Sequence, residues 1–250
     1  MQSPATPSPR VILLNEVDST NNYATRLIST RSAEEGTVVL TFRQTQGRGH
    51  GKNVWESAEN QNLTFSMVLY PTFLPASRQF LLSQAVSLGI TGFLKNHTGD
   101  VKIKWPNDIM SGGKKMAGIL IEHTVMNTHL HASIAGIGLN VNQTRFPSHL
   151  PHATSLAQVC GKEFHLMEVL HAITGEIMNW YQLLREGKEH VVRRHYLEQL
   201  FRLGVFAPFR DRQRIFKAVI RGTDEFGQLL LEEQDGIVTA WPFKSLEMIL

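Results

Sequence analysis

One stretch constrains this chain more than any other: Lys102 to Glu122, reading KIKWPNDIMSGGKKMAGILIE. Val101, Ile103 and Trp105 alternate with Lys102 and Lys104, and that period of two predicts a strand with one buried face. Pro106-Asn107-Asp108 ends it, because proline brings no amide to a ladder and forces the residue before it into extended geometry. Ser111-Gly112-Gly113-Lys114 predicts a tight turn, and the apolar run Met116 to Ile121 predicts a buried strand after it. A hairpin with polar ends would account for that much. Lys115 asks for more. It follows a turn and directly precedes the apolar strand, so stiff backbone can hold its ammonium over a cavity. A fixed lysine near Asn107 and Asp108 suits an anionic, phosphorylated ligand.

The bulk properties exclude several classes. No apolar run approaches the ~20 residues of a membrane span. The opening MQSPATPSPR lacks the basic and apolar regions of a secretory signal and reads as a flexible leader, so the expected location is the cytoplasm. The single cysteine, Cys160, rules out an intramolecular disulfide and fits a reducing compartment. Eleven histidines show no HExxH or Cys/His zinc spacing, and His129 and His131 read as a solvated strand face. A net charge of +3 permits acidic partners. The short clusters Arg193-Arg194 and Arg210 to Arg214 are the only hints of a basic nucleic-acid-binding module, which needs a basic stripe with exposed aromatics.

In chain order, Val11 to Leu14 predicts a strand, and Asp18 or Ser19 caps a helix carrying Tyr23, Leu27 and Ile28 on one face. Asp18-Ser19-Thr20-Asn21 is either a plain cap or a helix N-terminus whose amides and hydroxyls hold a polar ligand. After a strand at Thr37 to Phe42, Gly47, Gly49 and Gly51 alternate with Arg48 and His50 in a loop rich in amides and positive charge. Leu63 to Tyr70 is a strand, and a helix follows Pro75-Ala76-Ser77. His131 to Asn142 is a strand whose Gly136 and Gly138 mark close approach by a ligand or backbone, with Asn140 beside that gap. Phe146 to Gly161 reads as irregular, and helices follow at Leu166 to Leu184 and Glu189 to Leu200. Short strands at Arg214 to Ile220, Gln228 to Glu233 and Ile237 to Ala240, joined by Asp-Glu-Phe-Gly and Gln-Asp-Gly turns, predict a small β-module, most simply a barrel.

Five stretches in this order resemble the biotin–protein ligase family: Asp18 to Asn21, Gln44 to Trp55, Lys104 to Asp108, Lys115 to Glu122 and Gly136 to Asn140. The resemblance covers essentially the whole chain after the leader. It implies an α+β fold: a class II aminoacyl-tRNA synthetase-like catalytic domain over residues 11–202, then an SH3-like β-barrel over 203–250. Residues 1–10 are the leader. With about ten residues ahead of Val11, the expectation is the short form without an N-terminal DNA-binding domain, hence no specific DNA binding and no membrane partner.

The resemblance further implies an ATP-dependent ligase. Biotin and ATP, with Mg²⁺, give biotinyl-5′-adenylate and pyrophosphate; the biotinyl group then passes to a lysine of a biotin carboxyl carrier domain. Lys115, Arg48 and Asp108 take the catalytic positions, with Mg²⁺ near Asp108 rather than in a protein cage. Ser19, Thr20, Asn21, Gln44, Arg48, Gly49, His50, Lys115, Gly118, Leu120, Gly136 and Gly138 take the biotin positions. Arg48, His50, Trp55, Asn107, Lys115 and Asn140 take the nucleotide positions. Family members differ in whether they form homodimers. A lipoate–protein ligase of the same fold is the alternative enzyme. The loop departs from the family's Gly-Arg-Gly-Arg-x-Gly-Arg-x-Trp: His50 and Asn53 replace arginines, and imidazole cannot reproduce a permanent bidentate grip, which predicts looser retention of the adenylate.

Overall fold

The computed structural model describes residues 9–49 and 54–250. In chain order the first part carries β1 (Val11–Leu14), α1 (Thr20–Ser29), β2 (Val38–Thr41), β3 (Leu63–Leu69), α2 (Phe80–Lys95), β4 (Val101–Lys104), β5 (Asp108–Ser111), β6 (Lys114–Met126), β7 (His129–Leu139), α3 (Leu156–Cys160), α4 (Leu166–Arg185) and α5 (Glu189–Gln199). Then come β8 (Phe206–Arg210), β9 (Ile215–Thr223), β10 (Leu229–Glu232), β11 (Val238–Trp241) and β12 (Glu247–Met248). The strands form two sheets. One is mixed, ordered β1-β2-β3-β7-β6-β5-β4, parallel only between β1 and β2. The other is antiparallel, ordered β11-β10-β9-β8-β12.

Every residue of β3 is buried because both faces of the large sheet are covered there. On one face α1 packs through Ala24 against Val39, Val68 and Ile134. On the other, α2 and α4 close over Phe65, Met67 and Ile137. These helices approach closely at Gly89, where an added Cβ would lie 2.6 Å from Ile177 Cα. The sheets are joined through Trp105: its Nε1 donates to Gly227 O at 2.9 Å and its ring stacks on Phe243 at 5.3 Å.

The structure differs from the sequence reading in several places. Asp108 to Ser111 is a strand of its own, so the central stretch is a three-stranded meander and not one hairpin. β6 runs on to Met126, past the apolar run, because β7 pairs with it from Ala117 to Met126. Ser155 caps the short helix α3 inside the segment read as irregular, its Oγ accepting from Gln158 N at 3.2 Å. β8 and β12 complete the second sheet; Pro208 within β8 and the two-residue length of β12 hide them from pattern reading. Ser19 takes the cap position of α1 without a side-chain cap bond, while Asp18 binds Asn22 and Arg26.

Two tests follow from this packing. Gly89→Ala gains about 1 kcal/mol of helix propensity, but its methyl must push α2 off α4, and overpacking costs about 1–3 kcal/mol; urea unfolding should show net destabilisation. His123 sits on β6 with Nδ1 2.8 Å from Ser133 Oγ, and burial pushes its imidazole from the ordinary 6.5 down to about 4. Between about pH 6.5 and 4 only the unfolded chain takes up that proton, so stability should fall as pH drops through this window and level off below it. His123→Gln should flatten that part of a stability-versus-pH curve.

Candidate active site

Residues directly paired across a sheet point to the same face, so the register of the large sheet decides what meets what. One row reads Thr41, Thr64, Gly138, Gly118, Asp108, Lys104. The next reads Val39, Ser66, Gly136, Leu120. The glycines thus lie side by side and open a trough in the face that α1 only half covers. Side chains descend into it: a Cβ on Gly136 would overlap the Asn21 amide, and one on Gly138 would overlap the Trp55 indole.

The far wall is polar. Thr20 N donates to Gln44 Oε1 at 2.8 Å, and Thr20 Oγ1 lies 3.3 Å from the same atom. Ser66 Oγ is 2.7 Å from Thr20 Oγ1 and 2.5 Å from Asn21 Oδ1. Asn21 Nδ2 donates to Glu122 Oε2 at 2.7 Å, and Arg48 Nη2 donates to the same oxygen at 2.6 Å. Ser19, Thr20, Asn21 and Ser66 are all buried, so this chain is held away from solvent. Asp18 faces elsewhere; the hydrogen bond from Arg26, then those from Asn22 and the Ser19 amide, hold its carboxyl well below the usual range.

The near end is cationic. The pairing of β5 with β6 slips one residue between Ile109 and Met110, a bulge of the kind that re-aims a side chain. Lys115 is held there by the loop behind it: its N donates to His152 O at 2.6 Å and its O accepts from Thr154 N at 2.9 Å. Its Nζ lies 2.6 Å from Asp108 Oδ1 and 5.9 Å from the centre of the Trp55 ring. Lys104 Nζ is 4.0 Å from the other Asp108 oxygen. Asn107 locks onto β6 through Ile119, donating Nδ2 to its carbonyl at 2.8 Å and accepting its amide at 2.9 Å.

Two cavities meet at Lys115. The first, about 50 Å³, is the trough, lined among others by Thr20, Gln44, Arg48, Gly118, Leu120 and Gly136. The second, about 240 Å³, runs from Asp108 and Lys104 toward Phe209, Lys244 and Leu246 of the other sheet. Ligand pockets commonly hold ~300–1,000 Å³, and the trough is small because Trp55 lies in it. That indole has its Nε1 buried without a hydrogen-bond partner among the described residues.

Most sequence-predicted residues therefore come together: Ser19, Thr20, Asn21, Gln44, Arg48, Gly49, Trp55, Asn107, Lys115, Gly118, Leu120, Gly136 and Gly138 line the trough, and Asp108 the adjoining cavity. His50 lies outside the described residues. Asn140 is put to a different use. It lines neither cavity; its Nδ2 donates to Thr154 O at 3.0 Å and its backbone binds Met116 and Leu156, tying down the loop behind Lys115. The sequence reading passed over Ser66 and Glu122. Ser66 was detectable with Thr64 as one of two hydroxyls on the same face of an otherwise apolar strand, and Glu122 as the residue four beyond Gly118 on the same face of β6.

Comparison with known proteins identifies the family. Residues 13–140 match the biotin/lipoate A/B protein ligase family. The bifunctional ligase/repressor BirA of Bacillus spizizenii is 31% identical over 90% of this chain and 70% of its own length. The biotin–[acetyl-CoA-carboxylase] ligase of Paracoccus denitrificans is 27% identical over 90% of this chain and 95% of its own. Among solved structures, the biotin protein ligase of Aquifex aeolicus in complex with biotin and ATP superposes with a TM-score of 0.80 at 27% identity, covering 96% of this chain and 99% of that one. A glycine-floored trough with a polar end wall and a bulge-mounted lysine, in a chain with these relatives, leaves one assignment: the chain belongs to the biotin/lipoate A/B protein ligase family.

Proposed function

We propose that this chain is a biotin–protein ligase, joining biotin to ATP as biotinyl-5′-adenylate and passing it to a lysine of a biotin carboxyl carrier domain. The observation that carries this reading is Lys115 at the junction of two cavities, one walled by buried polar groups and one open toward the second sheet. A cyclic urea can satisfy donors and acceptors like those of Thr20, Asn21, Gln44 and Ser66. A dithiolane cannot, and buried polar groups left without partners are costly, which favours biotin over lipoate. Relatives named for biotin ligation, and solved relatives with biotin bound, support the same choice.

The chemistry follows from charge. A carboxylate with a pKa of about 4 is ionised at neutral pH and needs no base to attack the α-phosphate. An oxygen–phosphorus bond forms, the bond to the β-phosphate bridge breaks, and pyrophosphate leaves. The barrier is electrostatic, and Lys115 and Arg48 supply fixed positive charge for it. Trp55 and Asn107 are proposed on the nucleotide side, and Gly118, Leu120, Gly136 and Gly138 on the biotin side. Mg²⁺ would come with ATP, and a single carboxylate such as Asp108 suits an ion held mainly by phosphates and water. In the second step the acceptor amine attacks the acyl carbon and AMP leaves. That amine, with a reference pKa of about 10.4, must first lose its proton. Asp108, already 2.6 Å from one ammonium, is proposed to orient it.

The same reading takes residues 11–202 as a class II synthetase-like catalytic domain and 203–250 as an SH3-like barrel, working in the cytoplasm. No helix among the described residues is long and apolar enough to cross a membrane. β5 pairs with β6 only as far as Gly118, leaving the edge toward Met126 for a side-by-side homodimer or a docking carrier.

Incubation with ATP, Mg²⁺, biotin and a carrier domain should add one biotinyl mass to the carrier; labelling of a lipoyl domain instead would favour the lipoate enzyme. Lys115→Met should cut biotin-dependent pyrophosphate release by about 10²–10³-fold, the scale of losing one transition-state donor, while weak biotin binding persists through the far wall. Because Trp55 fills the trough, biotin should shift tryptophan emission, and Trp55→Phe should remove most of that shift.

A further inference from the structure

Glu122 stands where the far wall of the trough meets the loop from Gln44. One oxygen, Oε2, accepts from Asn21 Nδ2 at 2.7 Å and from Arg48 Nη2 at 2.6 Å. A carboxylate only accepts, so it fixes which way the Asn21 amide faces: Nδ2 toward Glu122, Oδ1 toward Ser66 Oγ at 2.5 Å. That orientation in turn directs the hydroxyl proton of Ser66, whose oxygen also touches Thr20 Oγ1 at 2.7 Å. The donor and acceptor pattern of the whole wall is thus set by one charge at its outer end. The same oxygen occupies one N–H of the Arg48 guanidinium, and the others make no hydrogen bond among the described residues.

We propose that Glu122 is the positioning residue that couples the polar wall of the pocket to Arg48. By gripping Asn21 and Arg48 at once, it makes the wall amide and the loop arginine move as one unit, so that recognition of biotin and retention of the adenylate rise and fall together. The proposal rests on the biotin-ligase reading above. The pair is half exposed, with side chains 41% and 39% accessible for Arg48 and Glu122, so its effect is on geometry more than on fold stability.

The test uses the full chain as Glu122→Gln, Glu122→Asp, Arg48→Gln and the Glu122→Gln/Arg48→Gln double variant. Biotin affinity is measured by calorimetry and biotinyl-adenylate release by stopped flow, with thermal melts to verify folding. Glu122→Gln should weaken biotin binding and speed adenylate release, each about 10-fold or more, the scale of a lost charge-assisted hydrogen bond. Glu122→Asp, which keeps the charge, should recover part of both effects and carries the comparison if Glu122→Gln melts early. The double variant should release adenylate no faster than the faster single variant. Effects that multiply in the double variant, or unchanged release from Glu122→Gln, would overturn the coupling. A wild type that releases no pyrophosphate with biotin and ATP would instead overturn the ligase reading, and the coupling with it.

Discussion

The site depends on strand register. Thr64, Gly138, Gly118 and Asp108 are far apart in the chain yet stand in one line because β3, β7, β6 and β5 pair as they do. A slip of one residue in β7 would turn Gly136 and Gly138 toward α2 and α4 and raise Ile137 into the trough. The register is held by the opposite face of the same strands, where Phe65, Met67, Ile119 and Ile137 pack under α2 and α4. Core packing on one side therefore fixes the trough on the other.

The second sheet is fastened to this frame near the same place. Trp105 ends β4, one residue after Lys104, and anchors both Gly227 and Phe243. The cavity leading away from Lys115 is consequently bounded by Lys104 and Asp108 on one wall and by Phe209, Lys244 and Leu246 on the other. Its shape is set by the join between sheets as much as by the strand that carries Lys115.

Much of this was legible in the sequence, for identifiable reasons. Period-two alternation around Lys102 and Lys104 and the glycines of 136–138 are local signals, and local signals survive without coordinates. What escaped depended on distant partners. Asn140 looks like a ligand group beside a glycine gap, but the loop at Thr154 claims its amide. Asp108 to Ser111 shows no alternation and lies between two turn signals; it is a strand because β4 and β6 flank it. Ser66 and Glu122 acquire meaning only when β3 and β6 are brought beside α1. Trp55 was legible as a site residue, but not its place over Gly138, where the close approach is made by the chain's own indole.

The two cations of the site share one device. Lys115 is held by Asp108, and Arg48 by Glu122, each through a single short bond. An ammonium has three donors and a guanidinium five, so each carboxylate fixes its cation and leaves donors for a ligand. Both pairs are partly exposed, where an ion pair contributes little to stability. Their value lies in orientation before the ligand arrives, since ordering a long side chain at the moment of binding would subtract from affinity. A lysine on a bulge needs such a tether because its four-carbon stem is otherwise free to turn, and here the tether comes from the neighbouring strand, in register with the glycine floor. Geometry that serves the core thereby also sets the charge.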